Sequence, residues 1–363
     1  MKRNYLFGAV IFCILFFCST GLTAGGKNIR NIKLDHTSFN PSVQEKCELS
    51  YELAQAAKVS VWVYTADFDL IKILANNVSQ KKGNNKAVWD GTDLAGNVVP
   101  NEAYFFCIEA TLKGGAKEIY DPTTFSGGEE FDVTEVEYDK LDGLFKFSLP
   151  KPARILMRIG IKDGPLIATL ADWEPRSEGH NLVYWTGFDP DKVFDARGRT
   201  DLSLLTTGFN LPDCSVIAYG NQKVDYFSYK KTLKAPLKPL REETFRAVKI
   251  SPNYYYPRTE DRAPVFQIEL PEASNQTPRV KEQLAIRIIV TDEFKQILLK
   301  NRFEVSLFLD GQFLFEEEEG YTPFNIVWNS HGVEPGEHYL TIALSTYLGQ
   351  VSSKTLKIDV ERD

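Results

Sequence analysis

The stretch Val88-Trp89-Asp90-Gly91-Thr92-Asp93-Leu94-Ala95-Gly96-Asn97 decides how the chain folds, because it ends a series of alternating segments and returns later in weakened form. A tryptophan beside a turn rich in glycine and short oxygen-bearing side chains predicts the closing element of a β-sandwich. Trp89 plugs the core, Gly91 and Gly96 permit tight turns, and Asp90, Asp93 and Asn97 hydrogen-bond their own backbone. Upstream, residues 48–53 alternate polar and apolar. Val59-Ser60-Val61-Trp62-Val63-Tyr64 is β-branched and aromatic on the period of two that a half-buried strand requires. Residues 70–74, 86–89 and 104–112 read as further strands, with turns at 67–69 and 83–85. Helical periodicity is missing from this region, so its fold class is all-β.

Working outward, a gapless shift carries Leu53 onto Leu149, Ala57 onto Ala153, Gly83 onto Gly179, Asn85 onto Asn181, Trp89 onto Trp185, Gly91 onto Gly187 and Asp93 onto Asp189. Val59, Val61 and Val63 fall on Ile155, Met157 and Ile159, which keeps the inward face apolar. Turn glycines and strand faces in phase predict a tandem copy. After the tryptophans, Pro100 matches Pro212, which assigns the second copy an insertion at 192–208. A third set of strand-like segments begins with Phe266-Gln267-Ile268-Glu269-Leu270 and ends near Val360, with Asp310-Gly311 as a turn. The expected organisation is a signal peptide at 1–24, a first sandwich at 25–120, a second at 121–232, a linker at 233–244 holding Pro236 and Pro239, and a third sandwich at 245–363.

The chain has 363 residues, 43% hydrophobic and 25% charged, as a folded multidomain protein should. Lys2 and Arg3 precede an apolar run at 6–17 and a small-residue site before Gly25, the pattern of a cleaved export signal, so the protein is expected to be secreted. No later stretch is long and apolar enough to cross a bilayer as a helix. The formal charge of −7 argues against nucleic acid as a bulk partner. Of five cysteines, Cys47, Cys107 and Cys214 follow the signal. Cys47 and Cys107 are candidates for a disulfide between sheets. Alternation opposes it, since Cys47 shares a face with Leu49 and Leu53, whereas Cys107 lies opposite Tyr104, Phe106 and Ile108.

Phe39-Asn40-Pro41, residues 59–64, Trp89-Asp90-Gly91-x-Asp93-x-x-Gly96 and Val99-Pro100-x-x-x-Tyr104 together resemble the FlgD-type immunoglobulin-like module of the flagellar hook-capping protein, which also occurs in other secreted bacterial proteins. The resemblance covers residues 30–112 and, weakened to Trp185-x-Gly187-x-Asp189, residues 130–220. The last module is similar to a generic bacterial Ig-like domain. The family places Gly where this chain has Glu102, so Asn101 is expected to supply the left-handed backbone there. The resemblance implies tandem immunoglobulin-like or fibronectin-III-like β-sandwiches. It does not extend to hook capping, because the family's N-terminal rod-engaging segment has no counterpart.

The residues point to no enzyme. His36, His180, His331 and His338 have no metal-ligand spacing, and nucleophile elbow, phosphate loop and CxxC are all missing. No cofactor or metal is expected. Asp90, Asp93 and Asn97, and likewise Asp189, Asp191, Asp195 and Asp201, cluster oxygen ligands as a calcium site would, but neither set has the regular ligand series of a calcium loop. The expected function is a non-enzymatic structural or adhesive scaffold at the bacterial cell surface, acting through protein-protein interaction. The alternative is a carbohydrate-binding protein. Candidate interaction residues are Asp195, Arg197 and Arg199 in the 192–208 segment, and Tyr255 in the aromatic run 254–256. Trp89, Gly91, Gly96, Trp185 and Gly187 are structural. Envelope proteins, an extracellular filament or a polysaccharide are the expected partners.

Overall fold

The computed structural model describes residues 26–233, 262–271 and 277–361. It is an all-β protein of three β-sandwiches, each with its own buried core. The first is built from β1 (Ile29–Leu34), β2 (Ser38–Phe39), β3 (Cys47–Leu53), β4 (Ala57–Thr65), β5 (Leu70–Gln80), β6 (Gly83–Trp89), β7 (Glu102–Leu112) and β8 (Lys117–Tyr120). β1-β3-β6 form one sheet, and β4 lies between β5 and β7 in the other. Strict alternation along β3 buries Cys47, Leu49, Tyr51 and Leu53, as a period of two requires of a strand with one wet face. Trp89 is fully buried at the end of β6 and packs edge-on against Phe39 and Tyr104, with ring centroids 5.3 and 5.0 Å away.

The second sandwich comprises β9 (Glu130–Asp132), β10 (Glu137–Asp139), β11 (Leu144–Leu149), β12 (Ala153–Ile161), β13 (Leu166–Arg176), β14 (Gly179–Tyr184) and β15 (Leu202–Asn210). Its register repeats that of the first. Leu53 pairs with Gly83 as Leu149 pairs with Gly179, and Ala57 pairs with Gln80 as Ala153 pairs with Arg176.

Two sequence expectations need correction here. Ala57 faces Leu112 while Ala153 faces Asn210, so β15 is the counterpart of β7. The segment 192–208 is therefore the ordinary turn and closing strand of the second copy, and the Pro100–Pro212 match was misleading. The reason is that Pro212 has already left the second sandwich. Beyond it, β16 (Ser215–Ala218) pairs antiparallel with residues 102–105 of β7 and parallel with β2. Helix α1 (Tyr226–Thr232), capped by Asp225, then packs Tyr229 into the first core. β8 covers the other half of the same edge of β7, at residues 108–111. The edge strand of the first sandwich is thus split into β8 and β16, with the second sandwich inserted at the break. Residues 211–232, expected in the second module, and Leu233, expected in the linker, complete the first.

The third sandwich contains β17 (Phe266–Glu269), β18 (Arg279–Val280), β19 (Gln283–Val290), helix α2 (Asp292–Asn301), β20 (Phe303–Leu309), β21 (Gln312–Glu317), β22 (Phe324–Asn329), β23 (Gly336–Thr346) and β24 (Val351–Val360). Its sheet order β18-β24-β23-β20-β21, with β18 and β24 parallel, reproduces β2-β16-β7-β4-β5 of the first, here with an unbroken last strand. Helix α2 was not expected from sequence. It buries Phe294 and Leu298, one turn apart, and carries Asp292 and Glu293 in its first turn and Lys300 in its last, which suits the helix dipole.

His338 caps the start of β23. Its Nδ1 lies 2.6 Å from Asp310 and its Nε2 2.7 Å from the Glu334 carbonyl. Partial burial lowers its pKa, but the Asp310 carboxylate and Glu334 carbonyl outweigh that and raise it above the usual histidine value. A raised folded-state pKa gives stabilisation that is complete below the unfolded value of about 6.5 and is lost as pH rises through the folded value. An NMR titration of His338 should therefore have a midpoint above that of the unfolded chain, returning towards it in Asp310→Asn.

Cys47 and Cys107 are not bonded. Cys47 faces the core between the sheets, while Cys107 sits on the opposite face of β7 beside Tyr64 and Phe105. The alternation that opposed the bridge is what separates them. Asn101 also departs from expectation, since no left-handed residue occurs at 101 or 102. Its side chain accepts the backbone N–H of Asn221 instead, and Glu102 is drawn into a buried ion cluster.

Candidate functional site

The two tryptophan turns share one hydrogen-bond plan. Trp89 Nε1 donates to the Thr92 carbonyl and Trp185 Nε1 to the Phe188 carbonyl, both at 2.9 Å. Asp93 accepts the backbone N–H groups of Ala95 and Asn97, and Asp189 accepts those of Val193 and Phe194. Gly91, Gly96 and Gly187 all have positive φ. An added Cβ would collide with Pro41 at Gly91 and with Arg197 at Gly187. Asp90 Oδ1 accepts the Thr92 N–H and hydroxyl, Asp93 Oδ1 the Ala95 and Asn97 N–H groups, and Lys72 Nζ donates to Thr92 Oγ1 and to the Asp93 carbonyl. Asp93 also accepts the Tyr229 hydroxyl at 3.1 Å, which ties the turn to α1. Asp93→Ala leaves those buried donors unpaired and should cost about 1–3 kcal/mol, read from the denaturant midpoint.

Beyond the second turn lies an open cleft of about 710 Å³, bounded by the 138–145 hairpin, the end of β14 and residues 197–204. Tyr138 stacks on Phe145 at 4.4 Å and stands 5.9 Å from Trp185. Tyr184, with 65% of its surface exposed, and Lys140 complete this wall. The opposite wall holds Arg197 and Arg199. Each makes a two-point contact with a neighbouring carboxylate, Arg197 with Asp195 and Arg199 with Asp201. The Arg197 guanidinium also lies 4.6 Å from the Phe188 ring centre. Hydrogen bonds from Arg197 hold the Asp195 carboxyl at about 2. The guanidinium charges are therefore largely cancelled where they stand. What the cleft offers is aromatic surface with fixed polar edges, which suits a neutral polyhydroxylated ligand or a peptide better than a polyanion. The structure brings Arg197 and Arg199 into the cleft and places Asp195 behind Arg197. Tyr255 lies outside the described residues.

A second polar cluster, not anticipated from sequence, joins the first two sandwiches. Arg154 on β12 is fully buried, with Nη1 2.9 Å from Asp67 and Nη2 3.3 Å from Glu102. Tyr226 and Lys230 of α1 also reach Asp67, at 2.8 and 3.1 Å. Burial pushes the Asp67 carboxyl up, but Arg154 and Lys230 more than reverse this and hold it well below the usual range. The equivalent of Arg154 in the first copy is Lys58, exposed on the same strand face. The signal for this site was a charged residue inside the apolar run 153–157. Between the second and third sandwiches, Arg158 donates to the Gly349 carbonyl, Ser353 to the Leu166 carbonyl, and Phe194 meets Tyr339 edge-on.

No family model matches the chain, and no curated protein matches it. Among solved structures, the fibronectin(III)-like modules of Clostridium thermocellum CbhA align at 12% identity over 92% of this chain and 95% of theirs, with a TM-score of 0.21. A calcium-stabilised adhesin with which an Antarctic bacterium binds ice aligns at 9% identity over 94% and 75%, with a TM-score of 0.19. The first three fibronectin domains of chicken CNTN1 give 8% identity, 93% and 99% coverage, and a TM-score of 0.18. At such scores the sandwich architecture rests on the sheets described above. No helix among the described residues is long and apolar enough to cross a membrane.

Proposed function

We propose that the protein is a secreted, non-enzymatic scaffold of immunoglobulin-like sandwiches that mediates adhesion or assembly at the bacterial surface. The observation that carries this reading is the junction: the second sandwich is inserted into an edge strand of the first and held there by the fully buried Arg154. Such fastening suits a protein that must hold one binding face in a fixed relation to the rest of the chain. The FlgD-type resemblance and the signal-like N-terminus support export. Affinity capture from the native envelope should return a defined protein partner, and reproducible failure to recover one would count against the scaffold.

The 138–204 cleft favours a second reading, recognition of a polysaccharide, because Tyr184 presents an exposed ring above an aromatic wall. Retention on a glycan array that disappears in Tyr184→Ala would favour this reading. Retention unchanged in that variant would exclude the cleft as the sugar site.

A further inference from the structure

Asp35, His36 and Cys47 lie at one end of the first sandwich, outside every element used above for binding or for joining domains. Asp35 and His36 form the turn after β1, and Cys47 opens β3, the strand that pairs with β1. One ligand atom from each side chain falls within 4.8 Å of the other two. In a tetrahedral zinc site, bonds of about 2.0–2.3 Å place ligand atoms roughly 3.3–3.7 Å apart, so rotamer adjustments of about 1 Å would close the set. The frame is already fixed: Asp35 Oδ1 accepts the Glu48 N–H at 2.9 Å, and Asp35 N donates to the Glu48 carbonyl. His36 Nδ1 is 3.1 Å from Asp35, while His36 Nε2 is buried with no hydrogen-bond partner. The Nδ1 side of the ring is the one placed against the carboxylate, and the buried Nε2 leaves a lone pair or a donor unsatisfied, which a folded protein rarely tolerates without a reason.

We infer that Asp35, His36 and Cys47 form a binding site for a zinc-like, borderline-soft divalent cation, with the fourth coordination position open to solvent. The donor set selects this class. Thiolate and imidazole disfavour calcium and magnesium, which take oxygen, whereas a mixed S, N, O set suits zinc. Cys47 is fully buried and Asp35 exposed, so the cation would enter past the carboxylate. Without a cation, burial foremost and then the Asp35 carboxylate keep the Cys47 thiol protonated. On binding, the S–H bond breaks, the proton leaves to solvent, and the electron pair on sulfur forms the metal bond. The set is not legible in sequence because Asp35 and His36 are adjacent and Cys47 is eleven positions on, a spacing that matches no recognised motif.

The test is titration of the purified, reduced protein with zinc against a chromophoric chelator, and with cobalt(II) as an optical probe. One equivalent of cobalt should give a thiolate charge-transfer band in the near ultraviolet, and zinc should raise the melting temperature. Cys214→Ser should keep the band. Cys47→Ser should lose it, but this core position also bears on folding, so His36→Ala and Asp35→Asn decide the matter at the surface: each should weaken zinc binding at least about tenfold. The inference is overturned if the wild-type protein gives no thiolate band, or if His36→Ala and Asp35→Asn bind zinc as tightly as wild type.

Discussion

Arg154→Met is expected to destabilise the protein by about 3–5 kcal/mol, because it removes the guanidinium that Asp67 and Glu102 share at a dry interface and leaves Lys230 as the cation beside Asp67. Asp67 has 10% of its side-chain surface exposed and Glu102 none, so water cannot replace the guanidinium. The effect should depend on pH with a definite sign. In the wild type the Asp67 pKa is depressed, so its contribution is present above the unfolded value of about 3.9 and is lost as pH falls through the folded value. In Arg154→Met only Lys230 and the Tyr226 hydroxyl still oppose burial, so the Asp67 pKa rises from its wild-type position and less stability is gained as the carboxyl ionises. The difference between variant and wild type should therefore be larger at neutral pH than near pH 3 in urea melts. Adding Glu102→Gln and Asp67→Asn to Arg154→Met should recover most of the loss, since neutral isosteres need no counter-charge. A constant deficit across pH, with no recovery in the triple variant, would mean that the cluster acts through packing.

The sandwiches were legible because their signals are local. The alternation in 47–53 and the turn glycines at 91 and 187 follow from strand geometry and positive φ alone, and the structure keeps them, whereas 59–64 alternates in direction but buries Ser60 and Tyr64 on its other face as well. What could not be read was which edge each strand joins. Ser215-Val216-Ile217-Ala218 is a good strand in either sandwich, and its place beside β7 is set by contacts more than a hundred residues away in sequence. Matching Pro100 to Pro212 treated the chain as a string of closed modules, an assumption that an insertion violates. Arg154 was unreadable for a related reason. Alternation places residues 58 and 154 on equivalent outer faces, and only the neighbouring domain makes one a solvated lysine position and the other the site of a buried arginine. Within the cleft, Arg197 and Arg199 could be singled out as polar residues of a loop. Tyr184 could not, because its exposure depends on the 138–145 hairpin stopping short of covering it.

Residues 26–120 expressed alone are expected not to fold, although they span the segment that resembles a complete immunoglobulin-like module. They lack β16 and α1, whose Val216, Ala218 and Tyr229 belong to the first core. Burying a large side chain such as Val216 is worth about 1.5–3 kcal/mol, and the loss of β16 also strips hydrogen bonds from half an edge of β7. Together these approach the whole stability of a domain, about 5–15 kcal/mol. The converse experiment is more informative. The chain leaves and re-enters the first sandwich side by side, with Gly128 N donating to the Asn210 carbonyl and Asn210 N to the Glu129 carbonyl. Replacing residues 130–209 with Gly-Gly should therefore close the break without moving either end. The resulting protein, ending at residue 233, should melt cooperatively and show native near-ultraviolet dichroism from the buried Trp89. If instead 26–120 folds alone with a cooperative melt, β16 and α1 are accessories and the first sandwich is complete without them. If neither protein folds, the first sandwich needs the second as a template, and Arg154 at their junction becomes the residue whose loss should reproduce that failure in the full chain.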